Sequence, residues 1–336
     1  MDDAPRLNGT TARSIPTRTL SVPNTVSPAF QRAMAEAALL PPDRLVRSPQ
    51  SDAQWRGLIA ANDALARERL AGLRAMFAVE ITQTTIAGVT VREIVPVSLD
   101  PAKAQRVLIH LHGGAYVVGG GEASAAEGLI GAHYARTRVI SVDYRMPPDH
   151  PFPAALDDAV AVWRGVTADH SPASVGVFGT SAGGGLALAL VLKLKALGLP
   201  LPGALAPGTP WADLAGESDS YAVNRHVDGR LPHYDGVLEA MARLYAGDTE
   251  LTDPLVSPVH GDFTGFPPSI LTTGTRDILL SDTVRVYRRM RVAGVDARLE
   301  VHEAMSHADY CYACDSPESA VVFRDIARFF DQHLAG

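Results

Sequence analysis

Apolar positions along this chain follow two periods. Short continuous apolar runs stand at RVLIHLH (106–112), RVISVDY (138–144), 174–178, within GALAPGTP (203–210), at SILTTG (269–274) and at ARLEVHE (297–303). They are rich in β-branched residues and have strand length, and a run that is apolar throughout predicts a strand buried on both faces. Between the runs lie longer stretches with helical spacing: 122–136, about 153–168, the segment from the serine at 181 to about 198, 281–293 and 317–333. Ahead of them VEITQTTI (79–86) and VTVREIVPV (89–97) read as an opening antiparallel pair. Strands alternating with helices predict an α/β chain whose mostly parallel sheet is covered by helices on both faces. In such sheets function collects at the carboxyl ends of the strands.

The pattern also divides the chain. Residues 1 to about 28 are rich in Pro, Thr, Ser and Arg without periodicity and read as an arm, and 28–76 read as helices, Ser27 being an N-cap with Pro28 at the first helical position. Residues 1–76 are therefore expected to be an arm and cap helices, and 77–336 a catalytic domain. Residues 211–268 interrupt the alternation, and about 211–250 of them are expected to add to a cap over the strand ends.

Composition narrows the function. A hydrophobic fraction of 46% in 336 residues is enough for a large core. The net charge of −7, with no basic cluster, argues against nucleic acid. No run of 18 apolar residues predicts a membrane span, and the beginning Met-Asp-Asp-Ala-Pro lacks the basic-then-apolar order of a secretory signal, so a cytoplasmic protein is expected. Cys311 and Cys314 form a C-x-x-C, but no second such pair or His pair stands at zinc spacing; two half-buried thiols are expected, with no metal and no cofactor.

The chemistry starts at VGVFGTSAGGG (175–185), where a buried strand turns sharply into a helix through Gly-Thr-Ser-Ala-Gly. Gly179 and Gly183 remove side chains that would collide in so tight a turn, leaving Ser181 exposed at its apex as a candidate nucleophile. The alternative is a glycine-rich turn that only binds an anion at a helix N-terminus. A nucleophilic serine needs oxyanion donors, a base and an orienter for that base. HGGAYVVGG follows the strand at 106–111, and the amides of Gly113 and Gly114, with that of Ala182, would form a three-donor oxyanion hole. His307, just past the last strand, is the expected base; His302, within the strand run, is its rival and is read as structural, and His112 is read as shaping the oxyanion loop. Asp277, directly past the strand at 269–273, is the expected orienter; Asp282 is read as a helix cap and Glu303 is the outside candidate. The order Ser181, Asp277, His307 is that of the α/β-hydrolases.

With these pieces in place the chain resembles the bacterial hormone-sensitive-lipase-like esterases of the α/β-hydrolase fold, in the branch with Gly-Thr-Ser-Ala-Gly at the elbow. The resemblance rests on HGGAYVVGG, VISVDYRMPPDHPFPAALDD, GTSAGGGLAL, DPLVSP and GTRDILLSD…SHAD, spanning 106–307. Three positions depart from the family pattern: Ala115 where many members have a third glycine, Asp149 where many have glutamate, and Ala308-Asp309 after the histidine where Gly-Phe is frequent. The resemblance implies Ser181 as nucleophile, His307 as base, Asp277 as orienter and Gly113, Gly114 and Ala182 as oxyanion donors, with Asp143 and Arg145 bracing the oxyanion loop. It implies a small-molecule ester substrate with a short to medium acyl chain, and it suggests a homodimer. Tyr116, Trp211, Tyr221 and Leu280 are candidate pocket walls, each of which would serve equally as ordinary core. The same triad would also suit an amidase, a lactonase or an aryl formamidase. A non-catalytic receptor similar to the plant gibberellin receptors is the reading from another class; those receptors lack the histidine that is present here at 307.

Overall fold

Val79–Ile86 (β1) and Val89–Pro96 (β2) form an antiparallel hairpin. It turns through Ala87 and Gly88, whose φ values of 49° and 85° give the left-handed pair that a two-residue hairpin turn requires. The computed structural model describes residues 17, 19–41, 45 and 47–336. The expected arm therefore lies mostly outside the described residues.

β2 also pairs antiparallel with Arg138–Val142 (β4). From there the ladder is parallel: β4 beside Val107–Leu111 (β3), then Val175–Thr180 (β5), Ala204–Gly208 (β6), Ser269–Gly274 (β7) and Ala297–His302 (β8). The eight-stranded order is β1-β2-β4-β3-β5-β6-β7-β8. β3, β5, β6 and β7 are buried at every position, as their unbroken apolar runs predict.

Alternation along each strand feeds two cores. Val107, Ile109, Val175 and Val177 pack with Ala154–Asp169 (α4) and Ala182–Ala196 (α5). Leu108, Phe178 and Ile270 pack on the other face with Ala125–Ala135 (α3) and Pro317–His333 (α10). Burying each of these large side chains contributes roughly 1.5–3 kcal/mol relative to exposure. α5 is apolar almost all round because it is enclosed all round: Leu186 to Val191 are all buried.

The helices ahead of the sheet are Pro28–Ala38 (α1) and Asp52–Met76 (α2). Ser27 caps α1, its hydroxyl oxygen accepting the Phe30 amide at 3.2 Å while its own N–H and O–H donate to Glu318 at 2.6 and 2.7 Å. The first helix is thereby tied to the last. α2 buries only Trp55, Leu70 and Leu73 over its 25 residues. The interruption after β6 holds the short Ser220–Val223 (α6) and Val237–Ala246 (α7). Leu280–Val292 (α8) follows β7, and the one-turn Asp309–Tyr312 (α9) follows β8. Cys311 and Cys314 are free thiols and are buried rather than half-buried, because both sit in the core cluster that holds Leu70 and Leu73 of α2 and Phe323 and Ile326 of α10. Among the described residues no helix is long and apolar enough to cross a membrane.

Candidate active site

β3, β5, β6, β7 and β8 run parallel, so their carboxyl ends share one edge of the sheet. Ser181 is the first residue after β5 and stands at φ 63°, ψ −124°, a strained conformation for a residue with a side chain. The strain is fixed by the surrounding main chain: the Ser181 amide donates to the Gly208 carbonyl at 2.9 Å. A Cβ at Gly179 or Gly183 would stand 2.1 or 1.9 Å from the Leu111 carbonyl oxygen. The glycines therefore admit the end of β3 as well as the reversal itself.

Three peptide planes near Ser181 are each pinned from the carbonyl side. A peptide is planar, so fixing a carbonyl aims the following N–H the other way. The Tyr144 hydroxyl donates to the His112 carbonyl at 2.7 Å, which aims the Gly113 amide. His112 Nδ1–H donates to the Gly113 carbonyl at 2.7 Å, which aims the Gly114 amide. The amides of Gly185 and Trp211 donate to the Ser181 carbonyl at 3.0 and 2.9 Å, which aims the Ala182 amide. Among the described residues none of the three aimed amides makes a loop or turn hydrogen bond of its own. The His112 ring lies flat against Tyr144, centroids 4.0 Å apart. Burial pushes its pKa down to about 3, so the ring stays neutral and keeps this donor geometry. Gly114 at φ 117° needs glycine, and the next residue, Ala115, holds φ 51° while carrying a methyl group.

His307 lies five residues past β8 and Asp277 three past β7. The His307 Nδ1 is 3.2 Å from Asp277 Oδ1 and 3.1 Å from Thr209 Oγ1. Asp277 is wholly buried, and its carboxylate accepts from Thr209 Oγ1, from Thr273 Oγ1 at 2.9 Å and from the Leu279 amide at 2.8 Å. Burial disfavours a charged imidazole at 307, but the Asp277 hydrogen bond and charge, with Asp228 and Asp309, outweigh it and raise its pKa. Thr209 and Tyr144 carried no sequence signal in this role beyond their place near strand ends.

Ser181, His307, Gly113 and Gly114 line one cavity of about 420 Å³. Its walls come from α2 (Asn62, Leu65, Ala66, Arg69), from α7 (Val237, Leu238, Met241), and from Leu231, Cys311 and Tyr312. The four residues expected as pocket walls are not among its lining residues. Tyr116 is stacked on Tyr245 at 3.7 Å beneath the oxyanion loop. Trp211 is wholly buried behind the elbow, Tyr221 donates to the Asp213 carbonyl at 2.9 Å, and Leu280 is half-buried at the start of α8. They are aromatic and apolar because they are core.

Asp282 does not cap α8. It is buried in the first turn, its carboxylate accepts the amides of Ala212 and Asp213 at 3.0 and 2.9 Å, and it fixes the chain leaving β6. His302 points its Nε2 into a buried site with no partner among the described residues, and Glu303 meets Thr25 at the surface. Asp143 accepts the Gly121 amide at 2.8 Å, at the far end of the oxyanion loop, whereas Arg145 is paired with Asp158 on α4 and does not reach the loop.

Fold and site together define a class, and the comparisons with known proteins agree with it. The profile of the alpha/beta hydrolase fold family matches residues 108–310. An acetyl-hydrolase of Streptomyces hygroscopicus is 35% identical over 214 residues, covering 63% of this chain and 71% of that protein. The crystal structure of an esterase, E25, superposes with a TM-score of 0.93 at 39% identity, covering 96% of this chain and 99% of that one. An esterase from the bacterial hormone-sensitive lipase family superposes at 0.77 with 28% identity, covering 92% and 99%. The chain belongs to the α/β-hydrolase family.

Proposed function

We propose that this enzyme is a serine carboxylic ester hydrolase acting on short- to medium-chain acyl esters through an acyl-enzyme. Ser181 attacks the ester carbonyl while His307 takes its proton; the amides of Gly113, Gly114 and Ala182 receive the oxyanion; the alcohol leaves with the proton from His307, and water repeats the sequence on the acyl-enzyme. Asp277 keeps the imidazole in the tautomer with Nδ1 protonated and stabilises its cation. Each oxyanion donor of this kind is worth about 3–4 kcal/mol where one has been removed. The helices α2 and α7 act as the cap, and the acyl chain lies among Leu65, Val237, Leu238 and Met241.

One observation carries the reading: Ser181, at the apex of a strained strand-to-helix turn, lines the same cavity as a histidine whose far nitrogen faces a buried carboxylate. The relatives named acetyl-hydrolase and esterase agree with it. The test is hydrolysis of p-nitrophenyl acetate, butyrate, octanoate and palmitate by wild type and Ser181→Ala. Turnover of the shorter esters, lost in the variant while its circular dichroism is unchanged, is the expected result. Undiminished turnover in the variant would overturn the mechanism, and activity confined to amides or lactones would replace the substrate class.

A further inference from the structure

Asp228 lies on the loop between α6 and α7, within the segment that interrupts the strand–helix alternation, and only 2% of it is exposed. Its carboxylate makes four hydrogen bonds to main chain. Oδ1 accepts the amides of Arg230 and Leu231 at 2.7 and 2.9 Å, which folds its own loop. Oδ2 accepts the Ile278 amide at 2.8 Å and the His307 amide at 3.1 Å. Ile278 follows Asp277 directly. One oxygen therefore bridges the loop that carries the acid and the loop that carries the base, which leave different strands and are 30 residues apart in the chain. Nearer the strands the same loops are tied by the Arg276 amide donating to the Met305 carbonyl at 3.0 Å and the Ala304 amide donating to Thr275 Oγ1 at 2.9 Å; Asp228 adds the tie at Ile278 and His307, past the last rungs of β7 and β8.

We propose that Asp228 is a positioning residue: it locks the Asp277 and His307 loops in register and supplies a second negative charge behind the imidazole. The proposal rests on the serine-hydrolase reading above. The charged groups that act on His307 include Asp277, Asp228 and Asp309 with its ion-pair partner Arg230 (2.8 Å), and Arg69 and Glu127 line the same cavity. Asp309 is neutralised in part by Arg230. Asp228 makes no ion pair with a lysine or arginine among the described residues, and the cation that favours its ionised form is His307 itself. Burial, then the charge of Asp277, push the Asp228 carboxyl up to about 7, against His307 and amide donors that favour its ionised form.

The substitution Asp228→Asn keeps the size of the side chain and removes its charge and half of its accepting capacity. Asp228→Glu keeps the charge and changes the reach. With p-nitrophenyl butyrate, the Asn variant is expected to lose about 10- to 100-fold in kcat with KM within about 3-fold, the loss expected of a group that acts on the transition state only. The acid limb of its kcat/KM profile, which reports the free enzyme's base, moves to lower pH, because one of the charges that hold the proton on His307 is gone. In the Glu variant kcat falls while the acid limb stays at the wild-type pH. A folded Asn variant with kcat within about 3-fold of wild type, or with reduced kcat and an unmoved acid limb, would overturn the proposal, as would a Glu variant with wild-type kcat. If the Asn variant does not fold, the Glu variant decides alone. Failure of the hydrolase reading itself is separate: it would appear as wild type and Ser181→Ala turning over esters alike, before any change at 228.

Discussion

The turn at Ser181 and the apolar face of α7 line the same cavity, and they are held to different tolerances. At the turn the constraint is main chain on main chain: Gly183 has a carbonyl oxygen 1.9 Å from where a methyl carbon would go. Along α7, Val237, Leu238 and Met241 are buried side chains on the inward stripe of an amphipathic helix, and they fill volume. Backbone geometry leaves one residue type at the turn. Volume filling leaves several on the helix, and the choice among them falls to the substrate. The part of the site proposed to perform chemistry is therefore rigidly specified, while the part proposed to select a substrate is free to vary on the same scaffold.

The largest effect expected from that contrast is at Gly183. Alanine there cannot relieve the clash by a rotamer change, because the obstacles are the Leu111 oxygen at 1.9 Å and the His112 carbonyl carbon at 2.8 Å. Gly183→Ala is expected to destabilise by roughly 4 kcal/mol or more, or to give no folded protein, measured by thermal unfolding. The volume-conserving Met241→Leu should cost under about 1.5 kcal/mol and leave turnover of p-nitrophenyl acetate nearly unchanged. Equal losses at the two positions would erase the distinction.

The same contrast explains what could be read in the sequence. The strands, their alternation with helices and the Gly-Thr-Ser-Ala-Gly turn were legible because each is local: burial on both faces writes an unbroken apolar run, and a steric limit writes a glycine. That Asp277 and His307 would meet was legible by position, since both stand just past strand ends. The pocket walls were not. Tyr116, Trp211, Tyr221 and Leu280 stand near site motifs in the sequence but turn into the core, while Leu65 and Arg69 reach the cavity from a helix more than a hundred residues before Ser181. Which face of α2 meets the cavity is decided by long-range packing, and its hydrophobic pattern does not record it. Asp228 was illegible for a related reason, because its partners are main-chain amides and amides have no sequence signature. Asp282 shows the converse error: a carboxylate in the first turn of a helix reads as a cap, and here it serves the chain leaving a neighbouring strand.

A second effect, intermediate in size, tests the variable side. Met241→Trp places a large ring on the cap-side wall without touching the elbow. If that wall limits acyl length, kcat/KM for p-nitrophenyl octanoate should fall about tenfold or more relative to acetate, within the ~10- to 200-fold that one or a few methylenes of pocket fit can command. Acetate and octanoate falling together would mean that α7 acts as scaffold, and would move the limit to Leu65 and Leu231.

The smallest expected effect tests the rigid side where its support is a single hydroxyl. Tyr144→Phe keeps the ring against His112 and removes only the donor to the His112 carbonyl, a 2.7 Å bond that aims the Gly113 amide through the intervening peptide plane. A buried acceptor left unpaired costs about 1–3 kcal/mol of stability. If only about 1 kcal/mol of the lost orientation reaches the transition state, kcat falls about fivefold. KM should hold, because the ester ground state carries no oxyanion for the amide to meet, and this split distinguishes aim from mere support. A variant that loses stability without losing kcat would show that the Gly113 peptide keeps its plane unaided, and the rigid region would then reside in the glycines and the strand ends alone.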